Sequence, residues 1–243
     1  MLTIKQLHEK TLPEYKRKFV KVDFVSYYLW RPICDFVSIV LMDTKITPND
    51  VTIVSFYSCL ISFAFFVFAP GMKGALLGYL FFWLWNIADG VDGNLARYRG
   101  QVSRSGDLWD AAAGYLAMIV FYFGAGLVAS KEESIFPLKM ISPSMYVCIG
   151  AVSGICTMFP RLITQKKESV YGKAAAKSMK DRTSFDPIKI IALNLVSING
   201  LAGLLFLIAI LTKTVNLFSF LYLFIMLAFG IFSTFSIMKN LEK

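Results

Sequence analysis

Six apolar runs set the pattern of this chain, at about 51–69, 75–97, 106–129, 142–164, 188–212 and 217–238. A membrane-spanning helix needs about 20 mostly apolar residues. Inside lipid each backbone polar group must be satisfied within its own segment, so helices are the expected form. Ahead of the first run, Phe24-Val25-Ser26-Tyr27-Tyr28-Leu29-Trp30 and its continuation to Met42 are apolar but broken by Arg31, Pro32, Asp35 and Asp43. That stretch is too short to span. With tyrosines and a tryptophan beside lysines it reads as a helix lying in the interface, or as one packed on the bundle, and the two are compatible. The pattern therefore predicts an all-α integral membrane protein, six transmembrane helices preceded by an N-terminal interfacial amphipathic helix. Residues 1–45 form the tail and interfacial helix, and residues 46–243 the membrane domain.

Composition supports this. The chain is 56% hydrophobic with a mean hydropathy of +0.60, above the 45–50% of soluble domains. The net charge of +9 raises nucleic acid as a partner, and its distribution removes it. Of the 25 lysines and arginines, only Lys73, Lys131, Lys139 and Lys213 lie on one side of the predicted spans, leaving 21 on the other. Such a bias places both termini on the cytoplasmic face of a multi-pass protein. The polar N-terminus lacks the apolar region of a signal peptide. Cys34, Cys59, Cys148 and Cys156 stand singly in apolar stretches and read as small buried hydrophobes. His8, the one histidine, reads as a solvated tail residue.

One stretch breaks the apolar pattern. Asn86-Ile87-Ala88-Asp89-Gly90-Val91-Asp92-Gly93-Asn94-Leu95-Ala96-Arg97 ends the second run, and Ser105-Gly106-Asp107-Leu108-Trp109-Asp110 opens the third. A carboxylate near lipid costs about 2.5–3.5 kcal/mol, so it needs a partner. At about 100° per residue, Asp89, Asp92, Gly93, Ala96 and Arg97 share a helix face roughly 140° wide. Paired carboxylates, small residues and one arginine describe a pocket for a cation plus a phosphate. Magnesium suits such oxygen ligands, from Asp89, Asp92 and Asp110, and manganese meets similar demands; no histidine or thiolate favours zinc or copper.

These residues resemble the signature of the CDP-alcohol phosphotransferase (CDP-alcohol phosphatidyltransferase) family, Asp-x2-Asp-Gly-x2-Ala-Arg-x8-Gly-x3-Asp-x3-Asp. Asp89, Asp92, Gly93, Ala96, Arg97, Gly106 and Asp110 fall in register, and Gly114 stands where the family has its fourth aspartate. The resemblance implies magnesium-dependent transfer of a substituted phosphate from a CDP-alcohol to an acceptor alcohol, with release of CMP, in phospholipid or related headgroup synthesis. Asp89, Asp92 and Asp110 would be the catalytic and metal-holding carboxylates. Asp92, Gly93, Ala96, Arg97 and Gly106 would bind the nucleotide, the small residues letting a cytidine ring reach the backbone. Pro48-Asn49-x-x-Thr52 is a further family feature, so Asn49 and Thr52 are either nucleotide contacts or ordinary caps of the first span. A homodimer and membrane lipid are the implied partners, beside the CDP-alcohol donor and alcohol acceptor.

Gly114 can act neither as base nor as ligand, and Asp107 lies seven residues away, roughly 10 Å along a helix. Three readings follow. Asp110 doubles as base and ligand, or the enzyme is slow, or the chain binds a CDP-alcohol without turnover. A CDP-diacylglycerol-like donor is favoured, with a CDP-choline- or CDP-ethanolamine-type transfer onto diacylglycerol as the alternative. The basic stretch 165–187 reads as a loop on anionic headgroups, or Arg161, Lys166, Lys167 and Arg182 serve an anionic second substrate. Gly150-x3-Gly154 and Gly200-x2-Gly203 permit close helix contact, within the bundle or between protomers. A cation transporter would spread its acidic residues at mid-membrane over several helices, a pattern absent here.

Overall fold

The protein's computed structural model describes residues 3–12, 20–135, 138, 140–172 and 187–239, and each regular element among them is helical. In order these are α1 (Ile4–Thr11), a π-helical turn (Ser26–Trp30), α2 (Arg31–Met42), α3 (Pro48–Phe68), α4 (Gly71–Arg99) and α5 (Arg104–Lys131). Then follow α6 (Pro143–Tyr171), α7 (Pro187–Val196), α8 (Leu201–Leu211) and α9 (Val215–Lys239). Helices α3, α4, α5, α6 and α9 are long and apolar enough to cross a membrane, and α7 with α8 makes a sixth if the bent pair is one span.

That bend corrects the sequence reading, which made 188–212 one helix. The chain turns by 51° between α7 and α8, and the cause lies far away in sequence. The Ser197 hydroxyl donates to Asp23 Oδ2 at 2.6 Å. The Asn194 side chain accepts from Phe24 N at 3.0 Å and donates to Val22 O at 2.7 Å. Gly200 lies so close to Asp23 that a Cβ would come within 2.9 Å of its Oδ1. Serine, asparagine and glycine are weak helix formers, and the N-terminal segment supplies the partners that let them unwind. Gly200 thus serves the break, not a helix contact. A second difference is that α6 runs on to Tyr171, well past the expected end near 164.

The N-terminal segment packs on α4. Helix α2 buries Cys34, Asp35 and Ser38 while exposing Ile33, Phe36 and Val40. Cys34 fits against Gly90, where a Cβ would meet its Sγ at 2.7 Å. His8 is not simply solvated as its sequence setting suggested. Helix α1 folds back with Leu7 fully buried, and His8 Nε2 pairs with Asp35 Oδ2 at 2.6 Å. Asn94, on the acidic-motif helix, donates to Asp35 Oδ1 and Ser38 Oγ, both at 3.1 Å. At the far end of α2, the Arg99 guanidinium donates to the carbonyls of Leu41, Met42, Thr44 and Ile46. It caps the helix and holds α2 alongside the end of α4.

The core is an aromatic cluster. Phe66 meets Phe206, which meets Phe121 and Phe218, and Phe218 stacks on Tyr222 at 4.3 Å. Gly78 on α4 and Gly124 on α5 leave room for the Phe66 ring. Glu132 accepts from Val215 N at 2.9 Å and so caps α9. Burial raises its carboxyl above the usual carboxylate range, the Val215 amide pulling the other way.

Helices α5 and α6 meet at Gly126 and Gly150, which places Gly150 inside the bundle. A Cβ there would stand 2.6 Å from Tyr122 O and 3.0 Å from Gly126 Cα. Backbone cannot yield as a flexible side chain can. Gly150→Val is therefore expected to cost about 1–3 kcal/mol, seen as a lowered Tm in detergent. Gly154, whose nearest neighbour would be Ile119 Cα at 3.6 Å, accepts alanine with an unchanged Tm.

Candidate functional site

A tight turn brings the two halves of the acidic motif together. Helix α4 stops at Gly100, whose φ of 67° is left-handed and easiest for glycine. Three residues later Ser103 caps α5 by accepting from Gly106 N at 3.0 Å. Asp89 and Asp92 on α4 thereby face Asp110 on α5 across one cavity of about 480 Å³. Asn49, Thr52, Gly93, Ala96, Arg97 and Gly106 line it as well, so the nine residues singled out in the sequence share a single space.

The start of α3 forms one wall. Thr47 is the cap: its Oγ1 accepts from Asp50 N at 3.2 Å, and its own amide donates to Asp50 Oδ2 at 2.9 Å. Capping therefore does not occupy Asn49 or Thr52. The Thr52 hydroxyl donates to Asp92 Oδ2 at 2.6 Å and fixes that carboxylate. Asn49 Oδ1 accepts from Ser103 Oγ at 3.4 Å and lies 2.8 Å from where a Gly106 Cβ would stand. Arg97 folds over Gly93, its Nη2 lying 2.8 Å from the position of a Cβ there. A side chain at residue 93 or 106 would fill the space that Arg97 and Asn49 use.

The three carboxylates interact electrostatically, Asp89 with both Asp110 and Asp92. Among the described residues no three His, Cys, Asp or Glu side chains converge as a finished metal cage. The donor set still fits a hard divalent ion, because magnesium is commonly held by one or two carboxylates with substrate phosphates and water completing its shell.

With this geometry in hand, a sequence model of the CDP-alcohol phosphatidyltransferase family matches residues 45–235. The chain belongs to that family. No curated protein matches it. CDP-alcohol phosphatidyltransferases transfer a phosphate group from a CDP-alcohol to an alcohol, act in membranes and generally use a divalent metal. A cation stands beside Gly114. Gly114 is buried on α5, and a Cβ there would have Arg161 Nη2 at 3.3 Å and Cζ at 3.7 Å. Arg161, on α6 just after Pro160, also lies over the Tyr115 ring at 5.5 Å and interacts with Asp89. Of the four basic residues considered for a second substrate, Arg161 lies near the carboxylates. Lys166 is exposed, Lys167 is buried, and Arg182 lies outside the described residues.

Among the cavity residues to which the sequence reading gave no role are Trp30, Arg31, Asn86 and Asn199. Two carried a signal, since an asparagine inside the second apolar run and an arginine inside the N-terminal apolar stretch each need a reason. Asn199 carried none, because its place depends on the break between α7 and α8.

Proposed function

We propose that this chain moves a substituted phosphate from a CDP-alcohol, with a CDP-diacylglycerol-like donor favoured, to an acceptor alcohol, releasing CMP. The observation that carries the reading is the shared cavity of Asp89, Asp92 and Asp110, bounded by Asn49, Gly93 and Arg97. In this reading Asp89, Asp92 and Asp110 would hold Mg2+, or Mn2+ in its place, which would supply charge neutralisation at the diphosphate. Thr52 keeps Asp92 aimed into the cavity. Gly93, Ala96 and Gly106 leave backbone bare for the cytidine, and Arg97 swings from Gly93 to a phosphate oxygen by charge-assisted hydrogen bonding. The acceptor oxygen attacks the phosphorus bearing the donor alcohol, the bond from that phosphorus to the CMP oxygen breaks, and Asp110 takes the hydroxyl proton. Asp110, on an exposed turn of α5, is open to an incoming alcohol.

The positive-inside distribution supports termini and active site on the cytoplasmic face, with residues 1–45 as tail and interfacial helix and 46–243 as the catalytic membrane domain. A homodimer follows from the family resemblance. The second reading is a slow or non-catalytic CDP-alcohol-binding member, and the Arg161 guanidinium beside Gly114 favours it specifically. A choline- or ethanolamine-type transfer onto diacylglycerol is the alternative chemistry.

The test is incubation of the purified protein with radiolabelled CDP-diacylglycerol, magnesium and a panel of alcohols. CMP release that depends on both magnesium and one alcohol is the expected result. Binding of CDP without release under any combination selects the non-catalytic reading, and neither binding nor release removes both.

A further inference from the structure

Arg31 has nearby carboxylates but, among the described residues, no hydrogen-bonded partner for its buried Nε and Nη2. The closest carboxylate oxygen, Asp35 Oδ2, is 4.0 Å away and is already engaged by His8 at 2.6 Å. The other Asp35 oxygen accepts from Asn94. Arg31 also shares the cavity with Arg97, and the two guanidinium groups repel. A buried cation without a hydrogen-bonded partner is costly, and a phosphate in this cavity would supply the acceptors that Arg31 Nε and Nη2 lack.

The neighbouring polar atoms point the same way. Trp30 Nε1, Asn86 Nδ2 and Asn199 Oδ1 are likewise buried without partners, and their residues line the same cavity. Asn86 is only 6% exposed. The Trp30 ring is fixed by stacking on Trp83 at 3.4 Å. These groups come from the start of α2, from α4 one turn before Asp89, and from the break between α7 and α8. Three of the four residues offer N–H donors, and a guanidinium can only donate.

We propose that this end of the cavity is a second oxyanion subsite, in which Arg31, with Trp30 and Asn86, takes a phosphoryl group of the substrate. The inference rests on the transferase reading above and narrows its substrate class. The planar fork of arginine matches phosphate oxygens in pairs, whereas an ammonium headgroup here would meet like charge. Asn86 is three residues before Asp89, about 4.5 Å along the helix. A phosphate held at Asn86 is therefore about one phosphate's reach from Asp89. Two sources fit: the second phosphate of the CDP-alcohol donor, or a phosphate carried by the acceptor alcohol.

The experiment measures ligand-dependent thermal stabilisation and titrated affinity of the full chain with magnesium, in wild type, Arg31→Gln and Arg31→Lys. The probes are CDP, CMP, and inorganic phosphate added to protein saturated with CMP. If the subsite holds the donor's second phosphate, Arg31→Gln weakens CDP at least tenfold and leaves CMP within twofold. If it holds the acceptor's phosphate, CDP and CMP keep their affinities and the phosphate response of the CMP-filled protein disappears. Arg31→Lys, which keeps the charge but loses the fork, falls between wild type and Arg31→Gln, and reports on the subsite should the glutamine variant not fold. Folded variants that bind CDP and phosphate within twofold of wild type overturn the proposal. A wild type that binds neither CDP nor CMP overturns the transferase reading instead, so the two failures are distinct.

Discussion

Asp92→Asn is expected to lower CMP release by about 10³-fold, within the range for loss of a charged catalytic group, without lowering Tm. The substitution keeps the volume of the side chain and can still accept from the Thr52 hydroxyl that now donates to Asp92 Oδ2 at 2.6 Å. What it loses is the negative charge facing Asp89 and Asp110. Removing one of three neighbouring carboxylates relieves repulsion in the ligand-free protein, so the fold is kept or strengthened while the chemistry is lost. Thr52→Val is the companion. It leaves the charge and removes only the hydrogen bond that aims it, and the loss of such a supporting partner typically costs about 10–100-fold. Measuring magnesium-dependent CMP release beside Tm separates the two roles. An Asp92→Asn variant that keeps half of wild-type turnover contradicts the assignment of this carboxylate to the site.

The helices and the site were not equally legible in the sequence. Lipid demands long apolar helices, so α3, α4, α5, α6 and α9 show as runs that hydropathy alone can find. The acidic motif was legible for a related reason. Asp89, Asp92, Gly93, Ala96 and Arg97 share one helix face by local geometry, and a capped four-residue turn carries the chain to Gly106 and Asp110. What stayed hidden depends on contacts between distant segments. The 197–200 stretch lies inside a longer apolar run, while the reason it unwinds is Asp23, more than 170 residues earlier. His8 reads as tail until α1 is seen folded against Asp35. Arg31 reads as an interruption in an apolar stretch until α2 lies along α4 and sets it beside Asn86 and the carboxylates. Periodicity reports how a segment meets its surroundings, and it cannot say which segments those surroundings contain.

Gly114→Asp, the substitution that completes the family signature, is expected to raise Tm and to give no gain in turnover by itself. The family resemblance makes a carboxylate at this position the base for the attacking hydroxyl. In this chain the place it would reach is already faced by a cation: Arg161 Nη2 stands 3.3 Å and Nη1 3.7 Å from a Cβ at residue 114. A carboxyl group one bond further out would be drawn into an ion pair with that guanidinium, and a carboxylate bound to arginine is a poor proton acceptor. The double variant Gly114→Asp/Arg161→Gln releases it. CMP release is then expected to rise about 10²-fold, at the low end of what a general base contributes, while Arg161→Gln alone lacks both groups and gains nothing. The two substitutions should therefore be strongly non-additive, as residues in contact are. A tenfold or larger gain from Gly114→Asp alone would show that Arg161 does not restrain the carboxylate. No gain from the double variant would mean that the missing aspartate does not limit this enzyme, and that Asp110 already serves as its base.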